Sequence, residues 1–232
     1  MTTATPLVDD MTVELIWATD RAQELITKMA RVSNPNNDTN METAPGLLRY
    51  LIKHKHWSPF EMANMCVKIN TQRDISAQIL RHRSFSFQEF STRYAEISDV
   101  TIPALRRQDT KNRQNSIDDL PDDLVRSYTQ EMDEVISNAY DLYQTMLKDG
   151  VAKETARRIL PLCTNTTLYM NGTLRSWIHY IQLRCANGTQ LEHMQIAEAI
   201  RDLFWKQFPI IAEAAFGIET KPYQPTNVQI HF

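Results

Sequence analysis

The residues with the clearest chemical potential lie in one segment, RHRSFSFQEFSTRY, at positions 81–94. Arg81, Arg83 and Arg93 place three guanidinium groups there, and these would repel one another unless an anion neutralised them. Each guanidinium offers a planar fork of donors that suits a phosphate or a carbonyl-rich ring. Glu89 can orient an arginine or accept from a ligand N–H, and the serines add neutral donors. The segment therefore predicts a binding site for an anionic ligand.

Phenylalanines are interleaved with these polar residues. Phe85, Phe87 and Phe90 would anchor the segment in a core and aim its polar side chains in one direction. A solvated surface turn is the plainer interpretation of a basic run, but it does not account for this spacing. A second alternative is a non-enzymatic binder of single-stranded nucleic acid that stacks bases on Phe85 and Phe87.

The composition limits the class of protein. The chain has 232 residues, of which 42% are hydrophobic and 23% are charged, and we expect one globular domain over 1–232. The net charge of −3 disfavours a nucleic-acid partner, and the local positive charge suits a small anion. No apolar run approaches the roughly 20 residues of a membrane span, and the first ten residues do not resemble a secretory signal. These features predict a soluble, cytoplasmic protein without a membrane partner.

Glycine and cysteine exclude further kinds of site. The five glycines are isolated, and neither GxGxxG nor GxxxxGK[ST] occurs, which excludes Rossmann and P-loop sites. A bound nucleotide would therefore be held by side chains. Cys66, Cys163 and Cys185 are odd in number and lack a CxxC pair, so we expect reduced thiols and neither a metal site nor a disulfide.

Hydrophobic periodicity predicts helices around a few strands. Strands are predicted at about 12–17, 63–70 and 164–170. Helices are predicted at about 20–30, 43–54, 72–82, 122–149, 151–159, 173–186 and 189–207. Thr19 or Asp20 would cap the first helix, and the polar run at 106–116 is expected to be a mobile surface loop. The tail after Pro222 has no usable period.

The long helix predicted after Pro121 carries an apolar stripe. The residues expected on its buried side are Leu124, Tyr128, Met132, Val135, Ile136, Ala139, Tyr143 and Met146. The helix is expected to end at Gly150, because glycine readily adopts the conformation that terminates a helix.

Two other helical segments carry candidate residues. In KETARRILP, Glu154 and Arg157 lie three positions apart on one face, a common surface pair that is worth only about 0.2–0.5 kcal/mol. In RSWIHYIQLR, Arg175 shares a face with His179, while Arg184 lies on another face with a tryptophan. The second segment is the stronger indication of an interface or a ligand site.

Together these segments resemble the flavin-dependent thymidylate synthases. RHR at 81–83, followed by Ser91 and then by Arg93 and Tyr94, is similar to the signature of that family. Further stretches resemble the family in the same order along the chain: ARVS at 30–33, HWSPFE at 56–61, Gln78, KETAR with ILP at 153–161, and RSWIHYIQLR at 175–184.

The resemblance implies a fold, a reaction and an assembly. The fold is α/β (α+β), with a small, mostly antiparallel sheet flanked by long helices, of the thymidylate synthase-complementing type. The reaction is the reductive methylation of dUMP to dTMP, with 5,10-methylenetetrahydrofolate as carbon donor, FAD as hydride carrier and NADPH as reductant. The assembly is a homotetramer whose active sites lie at subunit interfaces, with dUMP and folate as small-molecule partners.

The resemblance also assigns site residues. The positions that match dUMP contacts are Gln78, Ile79, Leu80, Arg81, Glu89, Phe90, Ser91, Thr92, Arg93, Arg157 and Arg184. The positions that match FAD contacts are Ser33, His56, Ser58, Glu61, Arg81, His82, Arg83, Glu89, Thr173, Leu174, Arg175 and His179.

Particular roles follow for five of the arginines. Arg93 and Arg157 are expected to face the dUMP phosphate, and Arg83 and Arg175 the FAD pyrophosphate. Arg184 matches the position that meets the pyrimidine ring, and it is the expected catalytic residue. A guanidinium there would stabilise negative charge on the ring carbonyls and make C5 nucleophilic.

A folate-only thymidylate synthase is the enzymatic rival, and it requires a cysteine nucleophile. Cys163 is the candidate, although a small buried hydrophobic residue is the plainer interpretation. Ser91 has no obvious base beside it, so we assign it to substrate binding. Gln88, His179 and Gly188 stand where some family members carry other residues, which leaves local FAD contacts open.

Overall fold

A four-stranded antiparallel sheet organises the molecule. The computed structural model describes residues 11–37 and 40–217, so that the amino-terminal segment and the tail after Pro222 lie outside it. The strands of the sheet lie in the order β1-β2-β6-β3. Their bounds are β1 Thr12–Ala18, β2 Asn64–Gln72, β3 Ser86–Glu89 and β6 Asn165–Thr173. A separate two-stranded hairpin is formed by β4 Arg107–Gln108 and β5 Ser116–Ile117.

Helices connect and cover the sheet. Their bounds are α1 Ala22–Ala30, α2 Ala44–Lys53, α3 Arg73–Ile79, α4 Asp122–Lys148, α5 Lys153–Ala156, α6 Leu174–Arg184, α7 Leu191–Gln207 and α8 Pro209–Phe216. Short 3-10 turns lie at Pro35–Asn37, Ser58–Glu61 and Arg157–Ile159. The expected α+β architecture, with a small antiparallel sheet flanked by helices, is confirmed.

The two central strands carry the core. β2 and β6 pair over their whole lengths, from Asn64 opposite Thr173 to Gln72 opposite Asn165. Met65, Val67 and Ile69 of β2 are buried, as the alternation in its sequence predicts, and Leu168 and Met170 of β6 are buried beside them. Trp177 of α6 packs onto this layer, and its indole N–H donates to the carbonyl of Met65 at 2.9 Å. The indole thereby gains a partner for its one polar atom while its rings fill the core.

The first helix begins differently from the prediction. Neither Thr19 nor Asp20 caps it; the capping position is Arg21, in the left-handed conformation with φ of 49°. Thr19 is engaged by the sheet instead, because its hydroxyl accepts from the backbone N–H of Asn64 at 2.9 Å. The capping assignment was therefore wrong because an edge contact competes for the same hydroxyl.

Three further elements differ from the prediction. The run at 106–116, expected to be a mobile loop, contributes both strands of the β4–β5 hairpin. The segment at 86–89, to which no strand was assigned, pairs with β6 as an edge strand. The helix at 209–216 was not predicted, because the pattern breaks at Phe208 and Pro209 begins a new helix.

The apolar stripe of α4 is only partly buried. Ile136 and Tyr143 are covered, at 8% and 0% exposure, as expected. Leu124, Tyr128 and Val135 are 42%, 52% and 69% exposed in the single chain, which contradicts the expectation of a buried side. The helix does end where predicted, with Gly150 at φ of 86° just beyond it.

A helix that crosses a membrane needs roughly 20 predominantly apolar residues. Among residues 11–37 and 40–217, no helix is both long enough and apolar enough to cross a membrane.

Gly172 generates a prediction about stability. It lies in β6 opposite Met65, and a Cβ placed there would come within 2.4 Å of the Phe85 ring. We expect Gly172→Ala to lower the free energy of unfolding by about 1–3 kcal/mol through overpacking. The matched control is Gly46→Ala in α2, where a Cβ meets nothing within 4 Å and helix propensity should raise stability by about 0.5–1 kcal/mol. Urea unfolding of both variants checks this, and equal shifts of the same sign would contradict it.

Candidate active site

The segment at 81–94 leaves α3, turns, and returns as edge strand β3. Phe85 fixes the turn, because its ring packs edge-on against Trp177 at 4.6 Å and against Tyr180 at 5.9 Å between centroids. Phe85 is 9% exposed and Phe90 is 38% exposed. Phe85 and the partly buried Phe87 therefore anchor the segment as predicted, whereas the expectation was wrong for the exposed Phe90. The buried Phe85 ring is not available to stack on a nucleic-acid base.

The three guanidinium groups of this segment have different surroundings. Arg93 pairs with Glu154 at 3.2 Å across a surface gap. Arg81 and Arg83 are exposed, and within the described ranges neither has a carboxylate partner. The segment therefore presents unneutralised positive charge toward solvent, which is the property expected of an anion site.

Arg157 lies beside this segment. Its guanidinium donates to the hydroxyl of Thr92 at 2.9 Å, and Thr92 is 2% exposed. α5 ends at Ala156, so Arg157 opens a 3-10 turn, and Glu154 points to Arg93. The predicted surface pair between Glu154 and Arg157 is therefore wrong. Each residue instead contacts the 81–94 segment, Glu154 through Arg93 and Arg157 through Thr92.

Glu89 is the acidic centre of the same region. Its Oε1 accepts from the hydroxyls of Ser76 at 2.7 Å and Thr166 at 3.1 Å. Arg73 lies 3.9 Å from that oxygen and also donates to the carbonyl of Phe90 at 3.4 Å. Arg73 is not among the predicted site residues, although its position directly after a predicted strand was a usable signal. Phe90 and Ser91 follow at the open edge.

Arg184 ends α6 with its guanidinium directed inward. Its Nε donates to Nε2 of His82 at 2.8 Å, which fixes the plane of the guanidinium. Burial, followed by the charges of Arg184 and His179, lowers the pKa of His82 to about 4. His82 is therefore neutral at physiological pH and can accept this hydrogen bond. The prediction that Arg184 and Trp177 share a face apart from Arg175 and His179 agrees with the burial of α6.

Gln78 lies one residue before the end of α3 and meets residues of α7. Its amide Nε2 donates to Oε1 of Gln190 at 2.7 Å, and its Oε1 lies 3.4 Å from Nδ1 of His193. His193 Nε2 lies 3.1 Å from the hydroxyl of Tyr180. Gln190, His193 and Tyr180 were missed, because a polar residue on a buried helix face has no signature without its partner.

A carboxylate–guanidinium pair ties the hairpin to this cluster. Glu192 is 3% exposed and pairs with Arg106, which begins the β4–β5 hairpin. The basic run at 106–116 is therefore not simply a solvated loop. Nearby, burial raises the pKa of Asp74, with the charge of Glu192 acting in the same direction and hydrogen bonds, one of them from Gln190, opposing it.

The second candidate site is a cavity, called the second cavity below, that lies beside the face of α6 that carries Arg175 and His179. It has a volume of about 400 Å³ and is lined by Trp57, Glu61, Ser84, Arg175, Ser176, Ile178, His179 and Gln182. Arg175 pairs with Glu61 across it, and both side chains are 40–50% exposed. A guanidinium, an imidazole, a hydroxyl and an amide face one space here, so the donor set fits a ligand that carries phosphates.

The remaining predicted FAD residues occupy several places. Thr173 caps α6, since its hydroxyl accepts from the backbone N–H of Ser176 at 3.2 Å. His56 lies in an exposed ring cluster, 5.9 Å from Tyr50. Ser33 and Ser58 are exposed, and the structure records no contact that joins them to the second cavity.

Two predicted residues have fully buried side chains. Ile79, assigned to dUMP, and Leu174, assigned to FAD, are both 0% exposed. Their backbones are also engaged, since the carbonyl of Ile79 accepts from the N–H of His82 and the N–H of Leu174 donates to the carbonyl of Ala63. The neighbouring Leu80, by contrast, is 37% exposed. Their side chains instead belong to the core on which the site is built.

The positions that depart from the family resemblance are also placed. Gln88 is exposed on β3, and Gly188 adopts a φ of 95° in the turn between α6 and α7. A Cβ at Gly188 would lie 3.2 Å from the side-chain oxygen of Gln114, the end of a flexible side chain that can shift slightly. The positive φ therefore favours glycine at this position more than the space around it does.

The fold and the two neighbouring sites define a class: an α+β protein with clustered guanidinium groups and no glycine-rich nucleotide-binding motif in its sequence. The family model for thymidylate synthase complementing protein matches residues 14–210. The chain belongs to this family. Membership overturns the folate-only rival and the nucleic-acid alternative, and the half-buried Cys163 needs no nucleophilic role.

Individual relatives agree with this assignment. The chain is 51% identical over 205 residues to a probable flavin-dependent thymidylate synthase of Paramecium bursaria Chlorella virus 1, covering 88% of this chain and 95% of the relative. It is 50% identical over 190 residues to the flavin-dependent thymidylate synthase of Synechocystis sp., covering 82% and 87%. The crystal structure of the UMP/dUMP methylase PolB from Streptomyces cacaoi, bound with 5-Br dUMP, superposes with a TM-score of 0.80 at 28% identity, covering 90% and 96%.

The neutral imidazole beneath Arg184 generates a prediction about pH. The pKa of His82 is about 4 in the folded protein and about 6.5 in the unfolded chain. Between these values the unfolded chain binds a proton that the folded protein does not, so the free energy of unfolding falls as pH falls from about 6.5 toward 4. We expect His82→Gln to show a shallower fall than the wild type in urea titrations across this window.

The matched control for this experiment is His54→Gln, which removes an exposed imidazole. It should keep the wild-type slope. Identical slopes for His82→Gln and the wild type would show that the imidazole beside Arg184 takes up its proton as readily in the folded protein as in the unfolded chain.

Proposed function

We propose that this protein catalyses the reductive methylation of dUMP to dTMP. The carbon donor is 5,10-methylenetetrahydrofolate, and NADPH is the reductant. The observation that carries the proposal is the pair of exposed guanidinium groups of Arg81 and Arg83. Among the described residues neither has a carboxylate partner, and the chain belongs to the thymidylate synthase complementing family. The names of the relatives, and the 5-Br dUMP in the PolB structure, support the same substrate.

The dUMP phosphate binds beside α5, where Arg157 follows the end of the helix. Arg157 is held by Thr92, and Arg93 is held by Glu154, so both cations are positioned before the ligand arrives. Such preorganisation reduces the ordering cost of binding. Glu89, anchored by Ser76, offers its remaining acceptor capacity to an N–H or O–H of the nucleoside.

The remaining dUMP contacts come from the turn after α3 and from the edge of β3. Gln78 and Arg81 supply side-chain donors, and Ser91 supplies a hydroxyl. Leu80 and Phe90 flank these groups with half-exposed side chains, and the buried Ile79 supports them from the core.

Arg184 performs the catalytic role. The neutral imidazole of His82 holds the guanidinium in one plane, so its N–H groups are directed at a fixed position. There they stabilise the negative charge that develops on the pyrimidine carbonyls and N3 as C5 becomes nucleophilic. No covalent bond between protein and pyrimidine is required, and no cysteine takes part.

FAD is held in the second cavity and along the 81–94 segment. Arg175 and Arg83 face its pyrophosphate, and Glu61 orients Arg175. His179 contributes a polar contact within the cavity. When bound, FAD supplies the hydride that reduces the transferred one-carbon unit. The full set of residues is Ser33, His56, Ser58, Glu61, Arg81, His82, Arg83, Glu89, Thr173, Leu174, Arg175 and His179.

The working assembly is a homotetramer with active sites at subunit interfaces. The exposed apolar residues of α4, Leu124, Tyr128 and Val135, support this proposal because a stripe of that kind is commonly covered by a partner. Exposed residues assigned to FAD, such as Ser33, would then meet the cofactor of a neighbouring subunit.

The first test of the proposed function follows tritium released from C5-labelled dUMP by the FAD-loaded enzyme. We expect Arg184→Ala to lower the release at least a hundredfold, because charge on the ring loses its stabilising donors. Flavin content and assembly should be unchanged. Full activity in this variant would refute the catalytic role, and a wild type that takes up FAD but never releases tritium would refute the proposed reaction.

A second test concerns the phosphate of dUMP. Arg157→Ala should raise the KM for dUMP about 10- to 100-fold, the loss expected for a charged hydrogen bond of about 1.5–3 kcal/mol. The matched control is Arg158→Ala, which removes an exposed neighbouring guanidinium and should leave KM unchanged. Equal KM values for the two variants would contradict the assignment of Arg157.

A further inference from the structure

Below the proposed dUMP site lies a buried pair of residues with no assigned role, His193 of α7 and Tyr180 of α6. Both are 0% exposed. His193 contacts Tyr180 through Nε2 at 3.1 Å and Gln78 through Nδ1 at 3.4 Å. We propose that His193 is a positioning residue for dUMP binding, which acts by fixing the orientation of the Gln78 amide. This rests on the proposed function, because it takes Gln78 as a dUMP contact.

The geometry sets the direction of each hydrogen bond. The side-chain oxygen of Gln78 can only accept, so Nδ1 of His193 must carry the proton. Nε2 is then a bare acceptor, and the Tyr180 hydroxyl donates to it. At the other end of the amide, Nε2 of Gln78 donates to Gln190. Donors therefore run in one order, from Tyr180 to His193, then to Gln78, then to Gln190.

This order has a consequence for the half-buried Gln78. A free glutamine can present either its oxygen or its nitrogen to a ligand, whereas this amide is held at both ends. One N–H and one lone pair are left for the nucleotide, each at a fixed place. The chain of hydrogen bonds thus decides which side of Gln78 donates and which side accepts.

The charge state of His193 supports the same arrangement. Burial, followed by the charges of Arg184 and His82, lowers the pKa of His193 to about 3. A neutral ring has one donor and one acceptor, which the chain of hydrogen bonds requires. A protonated ring would carry two donors and would have no nitrogen left to accept the hydrogen bond from the Tyr180 hydroxyl.

A buried histidine with a purely structural role would need hydrogen-bond partners, but the direction of those hydrogen bonds would not matter for dUMP binding. Its loss would then lower stability without changing dUMP affinity in a way that depends on Gln78. A double-mutant cycle between positions 78 and 193 separates the two roles.

The experiment measures the Kd for dUMP of the FAD-loaded enzyme by the perturbation of flavin absorbance. His193→Phe keeps a ring in the core and removes both nitrogens. We expect Kd to rise about three- to tenfold, as for one neutral hydrogen bond, with KM rising in parallel and kcat changing less. In a Gln78→Ala background the same substitution should have no further effect.

Two conservative variants sharpen the test. His193→Asn places an amide nitrogen near the position of Nδ1 and should recover most of the affinity. His193→Gln reaches the Nε2 position, keeps only the contact with Tyr180, and should resemble His193→Phe. Ile196→Val, on the same buried face of α7, is the packing control and should leave Kd unchanged.

Tyr180→Phe provides an independent variant, since it deletes one hydroxyl and keeps the ring should His193→Phe fail to fold. It should raise Kd in the same direction. An unchanged Kd in the variants that fold, or additive effects at positions 78 and 193, would overturn the proposal. A wild type that binds and converts dUMP while these variants behave normally refutes only the role of His193, whereas a wild type inert toward dUMP refutes the proposed function itself.

Discussion

The antiparallel pairing of β2 with β6 is the constraint on which the rest of the structure depends. The end of β2, at Gln72, lies opposite the start of β6, at Asn165, and the start of β2 lies opposite the end of β6. α3 leaves β2 directly, and α6 leaves β6 directly. The two helices therefore begin at opposite ends of one strand pair. They meet where each one ends, so that His82, just beyond α3, contacts Arg184, the last residue of α6.

The same register separates the two candidate sites. Glu89 meets both Arg73 and Thr166 at one end of the strand pair, where the proposed dUMP site lies. Glu61 precedes β2 and meets Arg175, which follows β6, at the other end. The junction of His82 and Arg184 connects the two. A shift of one residue in the β2–β6 pairing would reverse the inward and outward faces and separate every one of these contacts.

Much of this could be read from the sequence, and the failures have physical reasons. The strands β1, β2 and β6 and most of the helices follow from periodicity, and the arginine segment follows from its unusual density of guanidinium groups. Gln190 and His193 could not be found this way, because a polar residue in a buried helix is informative only beside Gln78, more than a hundred positions earlier. Spacing along the chain does not encode such distant pairs. The family resemblance predicted the reaction, but it did not predict that the side chains of Ile79 and Leu174 are buried.

The α4 stripe shows a different limit of sequence reasoning. A run of apolar residues at helical spacing indicates that a face is covered, but it does not indicate whether the cover belongs to the same chain. Here the face divides: Ile136 and Tyr143 pack within the chain, whereas Leu124 and Val135 do not. The predicted burial of Leu124 and Val135 therefore cannot be provided by a single subunit. In the proposed homotetramer that half would be buried by association, which would account for the part of the α4 pattern that the single chain leaves exposed.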